Sequence, residues 1–298
     1  MKSRTFARYG DENILQAAIV SELISVIVST YNRPDALEAV LRSLAAQNDS
    51  DFEVVVADDG SGPATAAAIE PWQKRIGHRL IHVWHADRGF RLAEIRNRAL
   101  LAARGSYCIF LDGDCIARRD FIAAHRRLAE AGWFVTGNRI LLSRQLTERV
   151  LGDHLTPEHW SLVDWAGQRL HGGINRLAAL IPLPLGPVRK RLARAWRGAR
   201  AANLAIWRAD LDAVDGFDAS FAGWGREDSD MFVRLMRAGV RRKDGRFATG
   251  VLHLWHPDAD RSQLPENERR LEDILASNRV RARQGLSALR ADTKMAAG

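Results

Sequence analysis

Four short apolar runs in the first half of the chain, at residues 24–28, 52–56, 80–84 and 107–111, are separated by stretches whose apolar positions recur at helical spacing. Runs this apolar, with little polar alternation, predict strands buried on both faces, as in a parallel sheet. After the first run, Leu37, Val40, Leu41 and Leu44 follow Pro34, a residue suited to a first helical turn; Leu92, Ile95, Ala99 and Leu100 keep the same spacing ahead of Arg104-Gly105. Repeated strand–helix alternation predicts right-handed βαβ crossovers and an α/β fold, a mostly parallel sheet flanked by helices. A further run at 133–136 adds a strand.

Beyond about residue 140 the pattern loosens. The stretch Ile181-Pro182-Leu183-Pro184-Leu185-Gly186-Pro187 cannot be helix or central strand throughout and predicts a linker or surface loop. Order returns over 203–217; residues 231–238 read as helix and 247–255 as strand. The last ~40 residues, charged with a weak apolar stripe, predict a helical C-terminal tail. These changes divide one large domain into an N-terminal extension (1–22), a first half (23–140), a basic linker (141–200), a second half (201–262) and the tail (263–298).

A length of 298 residues and 46% hydrophobic content suit a packed globular protein and exclude disorder as a whole. No apolar run approaches the roughly 18 residues that span a bilayer, and the start Met-Lys-Ser-Arg-Thr-Phe lacks the apolar stretch of a signal peptide, so a cytoplasmic location is expected. Cys108 and Cys115 are too few for a disulfide scaffold and read as small apolar fillers. The net charge of +8 is local: residues 165–209 hold nine Lys and Arg and no Asp or Glu. Such a patch argues against a protein that coats nucleic acid over its whole surface. It favours membrane lipid, an anionic acceptor or diphosphate. Within it Arg189, Lys190, Arg191, Arg194, Arg197 and Arg200 alternate with Leu192, Ala195, Trp196 and Ala199 at helical threes. That spacing fits an amphipathic helix docked peripherally on the inner face of a membrane, and equally a solvated helix face. Arg197 or Arg200 can instead neutralise a departing diphosphate.

The strongest chemical signal is Asp112-Gly113-Asp114, directly after the fourth run. Two carboxylates would emerge together at the end of a buried strand, where open α/β sheets bind ligands. They repel unless positive charge separates them, and a hard divalent cation carrying phosphate oxygens answers that need. Thr30, Tyr31 and Arg33 after the first run, and Asp58 in Ala57-Asp58-Asp59-Gly60-Ser61 after the second, collect polar groups at neighbouring strand ends. A nucleoside fits there: an Asp accepts from a base N–H or a ribose hydroxyl, and Tyr31 offers a ring face. Each turn taken singly also reads as ordinary use of Asn, Asp and Gly for backbone geometry.

Taken together, the residues resemble the family 2 glycosyltransferases of the GT-A fold, a Rossmann-like architecture. The resemblance is carried by Val28-Ser29-Thr30-Tyr31-Asn32-Arg33, Val56-Ala57-Asp58-Asp59-Gly60-Ser61, Arg88-Gly89-Phe90 through Arg96-Asn97, and Asp112-Gly113-Asp114, over roughly residues 23–125. The second half is similar to a galactosyltransferase-type carboxyl-terminal module through Ala202-Asn203-Leu204-Ala205, Gly216-Phe217-Asp218, Gly223-Trp224-Gly225-Arg226-Glu227-Asp228-Ser229-Asp230 and His253-Leu254-Trp255-His256. The resemblance implies a sugar-donor site of Thr30, Tyr31, Arg33, Asp58, Arg88, Asn97 and Asp112, with Asp58 on the base and Asp112 on the ribose. It implies Mn2+ or Mg2+ held by Asp114 and His256, with His253 a second liganding position. Asp228 is implied as catalytic base beside Glu227, and Trp224, Asn203 and Gly225 as acceptor contacts. Arg226 stands where the family more commonly has glycine, which puts a bulky cation on the acceptor side.

The expected activity is therefore inverting, metal-dependent transfer of a sugar from a nucleoside diphosphate, UDP first among candidates, to a hydroxyl of a glycan or glycolipid in cell-surface polysaccharide synthesis. A sugar nucleotidyltransferase would want a Gly-rich, Lys- or Arg-bearing loop after the first strand, and Asn32-Arg33-Pro34-Asp35 is not that. A non-catalytic glycan- or lipid-binding protein of the same fold would not need Asp114, Asp228 and His256 together.

Overall fold

Strands β1 (Ile24–Thr30), β2 (Phe52–Asp58) and β4 (Tyr107–Asp112) are buried at nearly every position, as their unbroken apolar runs require, while β3 (Leu80–Trp84) is a half-covered edge. The computed structural model describes residues 23–76 and 79–296, so the expected extension at 1–22 lies outside the described residues. Helices α1 (Pro34–Ala45), α2 (Pro63–Arg75) and α3 (Leu92–Ala102) make the crossovers. Pro34 and Pro63 open the first two of these helices, where a missing N–H costs nothing.

The main sheet has seven strands in the order β3-β2-β1-β4-β8-β6-β9, completed by β6 (Trp133–Thr136), β8 (Asn203–Trp207) and β9 (Arg241–Asp244). β1 pairs in parallel with β2 and β4, and β2 with β3, whereas β8 runs antiparallel to both its neighbours. The chain winds outward to β3 and then returns to place β4 beside β1, so the crevice at that reversal is where ligands bind in such sheets. Register completes the gathering: Ser29 is opposite Asp112, and Thr30 opposite Asp58. Alternate side chains feed two cores. Val26, Val28, Val54 and Ile109 pack with the apolar stripe of α1, and Ile27, Val55, Phe110 and Leu204 pack with Ile95, Leu100 and Phe217.

A small second sheet, β5-β10-β7, is built from β5 (Cys115–Ala117), β7 (Arg139–Leu141) and β10 (Val251–His253). β10 runs antiparallel to β5 with His253 opposite Cys115, and the Leu254 N–H donates to the Asp114 carbonyl at 2.9 Å. The strand expected over 247–255 is thus only three residues long, because Ala248 and Thr249 turn back to donate to the Gly245 carbonyl. Three helices in the middle of the chain, α4 (Phe121–Leu128), α5 (Arg144–Gly152) and α6 (Leu162–Leu170), fall where the pattern was least regular. Ser143 and Ser161 cap the last two, each accepting from a backbone N–H of the first turn.

The basic segment is not an α-helix. A 3-10 turn at Gly186–Lys190 leads into irregular turns up to residue 200, since Pro182, Pro184, Gly186, Pro187 and Gly198 break helical continuity and Arg189 is drawn inward. Beyond β8 come α7 (Arg208–Ala213) and α8 (Glu227–Arg237). The tail forms α9 (Leu264–Ala276) and α10 (Leu286–Ala296) and belongs to the domain, with Leu286 fully buried. Asp218 accepts from the Arg283 N–H at 2.9 Å and from the Arg279 guanidinium at 3.1 Å.

Asn97 clamps the two halves together. Its amide donates to the Phe217 carbonyl at 2.8 Å and its carbonyl accepts from the Phe217 N–H at 2.9 Å, while the Phe217 ring meets Phe110 edge-on at 5.1 Å. Gly216, at φ +69°, passes so close that a Cβ there would lie 2.5 Å from the Asn97 Oδ1. Asn97→Ala leaves two buried backbone groups without partners, and the expected loss is about 2–4 kcal/mol in urea unfolding, at the usual cost of an unmade buried hydrogen bond.

Candidate active site

A crevice of about 490 Å3 opens at the carboxyl ends of β1 and β4. β1 supplies Ser29, Thr30 and Tyr31, β4 and its turn supply Asp112 and Asp114, and the start of α8 supplies Glu227 and Asp228. Gly113 lets the Asp-Gly-Asp turn press against β1: its N–H donates to the Ser29 carbonyl at 2.7 Å, and a Cβ would lie 2.7 Å from that same oxygen.

Arg96 organises this end of the sheet. It lies on the buried face of α3 with Ala93 and Leu100, and it is 1% exposed. Its guanidinium pairs with Asp112 at 3.0 Å and Glu227 at 3.5 Å, donates to the Ser29 hydroxyl at 3.1 Å, and lies 5.3 Å from the Phe217 ring centroid. A buried guanidinium is tolerated only when paired and hydrogen-bonded. Burial pushes the Asp112 carboxyl above its ordinary value, with Arg96 opposing. Burial, reinforced by the neighbouring Asp228, pushes Glu227 up to about 7, again against the pull of Arg96. Glu227 therefore keeps its proton to a higher pH than an ordinary carboxyl.

Asp228 has different surroundings. One oxygen receives only a long contact, 3.4 Å, from the Ala201 N–H, and the other accepts from the Ser229 hydroxyl at 3.2 Å. Both carboxylates stand in the first turn of α8, where the helix dipole favours negative charge. The helix is entered through Arg226 in a left-handed conformation, φ +76°, with its guanidinium drawn to Glu268 at 2.7 Å. Trp224, two residues earlier, lines the crevice with the Arg261 guanidinium 4.9 Å from its ring centroid.

A second cluster forms where β5 and β10 meet. The Asp114 Oδ2 lies 3.3 Å from His256 Nε2 and 3.6 Å from His253 Nε2, and the two imidazoles are 5.2 Å apart. The other nitrogen of His256, Nδ1, is 2.6 Å from the Pro257 carbonyl, a group that only accepts. Nδ1 therefore carries the hydrogen, and Nε2 meets a carboxylate oxygen with its lone pair unless a cation, proton or metal, separates them. Burial holds His253 below the usual histidine value, in the neutral form that ligates metals. The ligand atoms of Asp114, Cys115 and His253 lie within 4.8 Å of one another. Cys115 is fully buried, its thiol is pushed well above the ordinary range by that burial, and it donates to Asp114 at 3.4 Å. Asp114, His253 and His256 could together hold a divalent cation, offering one carboxylate and two imidazoles.

Of the residues expected on the donor side, Thr30, Tyr31, Arg33 and Asp112 line the crevice. The Thr30 hydroxyl is buried without a partner, Tyr31 donates to Asp87 at 2.9 Å, and Arg33 pairs with Asp35 at 3.0 Å. Asp58 is 1% exposed behind the wall, its carboxylate held by the Ser61 N–H at 2.8 Å and His82 at 2.9 Å. Its neighbour Asp59 lines the crevice instead, pushed up to about 6 by burial. Arg88 pairs with Glu94 on the surface, and Asn97 is the clamp described above. On the acceptor side Trp224 and Gly225 line the crevice, but Asn203 is buried, accepting from His125 and donating to the Thr249 carbonyl at the start of β8. Arg96, Asp59 and Arg139 line the crevice without having been expected there. Arg96 and Asp59 left traces, since both lie in blocks that carry the resemblance and Arg96 sets a charge on the apolar face of a helix, whereas Arg139 left none.

Residues 25–176 match the model of glycosyl transferase family 2, and residues 190–257 match that of the N-terminal domain of galactosyltransferase. Validoxylamine A glucosyltransferase of Streptomyces hygroscopicus subsp. jinggangensis (strain 5008) is 30% identical over 244 residues, covering 77% of this chain and 55% of the relative. Chondroitin synthase of Escherichia coli is 24% identical over 242 residues, covering 74% of this chain and 33% of the relative. The chain spans about half the length of the first of these relatives and less of the second. S. aureus TarS superposes with a TM-score of 0.56 at 17% identity, over 83% of this chain and 38% of that one. The mannosyltransferase PcManGT from Pyrobaculum calidifontis, solved with GDP-Man and Mn2+, superposes with a TM-score of 0.55 at 18% identity, over 93% and 80%. These likenesses show a shared GT-A fold.

A raised carboxyl has a pH signature. The folded state holds the Glu227 proton that the unfolded chain releases near pH 4.5, so the contribution to stability is full below that pH and lost as pH rises through about 7. Glu227→Gln cannot ionise. Relative to wild type its melting temperature should climb by a few degrees between about pH 4.5 and pH 8; a difference independent of pH would refute the perturbed carboxyl.

Proposed function

We propose a reaction for this chain on one premise: it belongs to glycosyl transferase family 2. The reaction is inverting transfer of a sugar from a nucleoside diphosphate, UDP in the first instance, to a hydroxyl of a glycan or glycolipid. The observation that carries the reading is that the Asp114 cluster and the Glu227–Asp228 pair open into one crevice beside the Arg96–Asp112 ion pair.

Tyr31 and the unpartnered Thr30 hydroxyl receive the nucleoside, with Asp59 and Asp112 as acceptors for base and ribose hydrogens. Asp58 supports that wall from behind by fixing the turn at Ser61. Asp114, His253 and His256 would hold Mn2+ or Mg2+, which supplies Lewis acidity to the leaving diphosphate. Arg139 and Arg200 line the same crevice and add positive charge for the phosphates. Trp224 offers its ring to a pyranose face.

Asp228 is the base. Its carboxylate makes two weak hydrogen bonds and no ion pair among the described residues, whereas Glu227 lies 3.5 Å from the Arg96 guanidinium with its carboxyl raised by burial. The acceptor hydroxyl gives its proton to Asp228 as its oxygen bonds to the anomeric carbon, and the bond from that carbon to the diphosphate oxygen breaks on the opposite face. Glu227 orients the acceptor through a hydrogen bond that either of its protonation states can make.

The test begins with melting temperature in the presence of UDP, GDP, dTDP or CMP, each with Mn2+ and with chelator. A saturating nucleotide at 100-fold its Kd adds about 2.7 kcal/mol of stability, enough to read as a clear shift. One nucleotide should stabilise in a metal-dependent way, and no shift with any of them removes the donor assignment. Asp114→Ala should abolish the metal dependence. Asp228→Asn should lower kcat by about 10^2- to 10^4-fold, the usual contribution of a general base, with the nucleotide shift unchanged. An equal loss of nucleotide binding would reassign Asp228 to the donor side.

A further inference from the structure

The segment between α6 and β8 is built inside out. Arg189, 6% exposed, donates inward to the carbonyls of Leu183, Asp244 and Arg246 at 2.9, 2.8 and 2.7 Å. Arg242, 8% exposed, holds the carbonyls of Ala195 and Arg197 at 3.2 and 3.1 Å. Two buried guanidiniums thus satisfy a backbone that has neither helix nor strand to do so. With charge spent inside, the large aliphatics face out: Ile181, Leu183, Val188 and Leu192 are each 40–43% exposed. Proline flanks Leu183 on both sides, so these side chains protrude from a stiff loop.

Cations surround this apolar surface. Lys190, Arg191 and Arg194 are exposed, and Arg191 and Arg194 have no carboxylate partner among the described residues. No Asp or Glu occurs anywhere between residues 165 and 209. Beneath the loop lies a cavity of about 600 Å3 lined by Leu128, Leu183, Leu185 and Phe247, where Lys190 and Lys243 both pair with Glu130 at 2.6 Å, so the unpaired positive charge is that of Arg191 and Arg194. Protruding aliphatics inside a ring of cations match the boundary between acyl chains and anionic headgroups. Binding to single-stranded nucleic acid would instead require exposed aromatic rings for stacking, and the exposed hydrophobics here are aliphatic.

We propose that this face, centred on Leu183, Val188, Arg191 and Arg194, docks the protein on an anionic phospholipid bilayer. The docking stands independently of the transfer reaction. Joined to that reading, it sets the crevice at the lipid surface, because the same segment runs straight into Arg200, Ala201 and Ala202 of the crevice wall.

Flotation of the full chain with vesicles tests it. Binding is expected to phosphatidylcholine mixed with phosphatidylglycerol, to weaken at high salt, and to be absent with phosphatidylcholine alone. Arg191→Glu with Arg194→Glu should weaken partitioning by at least roughly 25-fold, from about fivefold per basic residue near such a surface. Leu183→Asp with Val188→Asp should also release the protein. Each variant's melting temperature, with and without UDP and Mn2+, shows whether the fold and crevice are intact. Absence of binding, equal binding to both vesicle types, or unchanged binding of the Leu183 and Val188 variant overturns the proposal. The last of these would show adsorption to anionic headgroups by charge alone, without insertion of the aliphatics. A wild-type chain that floats but gives no nucleotide shift would sink the donor assignment alone.

Discussion

One buried guanidinium makes the crevice possible. The end of β4 and the start of α8 bring the part-exposed Asp112 and the buried Glu227 together at the crevice wall, and Arg96 is the cation that both of them share. Replacing it with an uncharged residue would leave the buried Glu227 without its cation, a destabilising change. Because a single arginine serves both, its charge compensates neither fully. Glu227 is left with a carboxyl near neutrality, which a structural ion pair has no need of and a group handling an acceptor hydroxyl can use. The same arginine ties β4 to α8, the two elements that face each other across the crevice.

The rest of the fold brings the other groups to that point. β8 runs against its neighbours, so the chain arrives at the crevice through Ala201 and Ala202 just before entering the sheet, and the Ala201 N–H meets Asp228 there. The small sheet has a similar role for the Asp114 cluster: pairing of β10 with β5 sets His253 opposite Cys115 and hence next to Asp114. Three residues of strand are sufficient, because their register alone decides which imidazole faces which carboxylate.

The long parallel strands were legible because burial on both faces writes an unbroken apolar run; β3 has the bounds that its run predicts. β5, β7 and β10 have three residues each and no period to read. Among residues that line the crevice, Thr30, Asp112 and Asp114 could be placed from their strand ends, and Glu227, Asp228 and His256 from the resemblance. Asn97 and Asn203 belong to recognisable blocks too, yet both are spent on backbone carbonyls and amides in the interior. A polar residue in a family motif can be required by the fold as readily as by the ligand. The basic segment misled for a related reason. Charge at every third position suits a helix face, but here it follows a 3-10 turn and loops, with one of its arginines turned inward to bind carbonyls.

The clasp between residues 215–218 and 279–287 sets the order in which the protein can be completed. Leu286 fills the space above Gly216, and Asp215 and Asp218 find their backbone partners on that late stretch. During synthesis the amino-terminal strands can pair as soon as β4 emerges, after roughly 5–30 s at ribosomal rates. The loop carrying Gly216, and the helix of Glu227 and Asp228 that follows it, lack those contacts until the final helix has left the exit tunnel. The crevice is therefore completed late: the β1 and β4 wall can stand before the Glu227 and Asp228 wall is held in place.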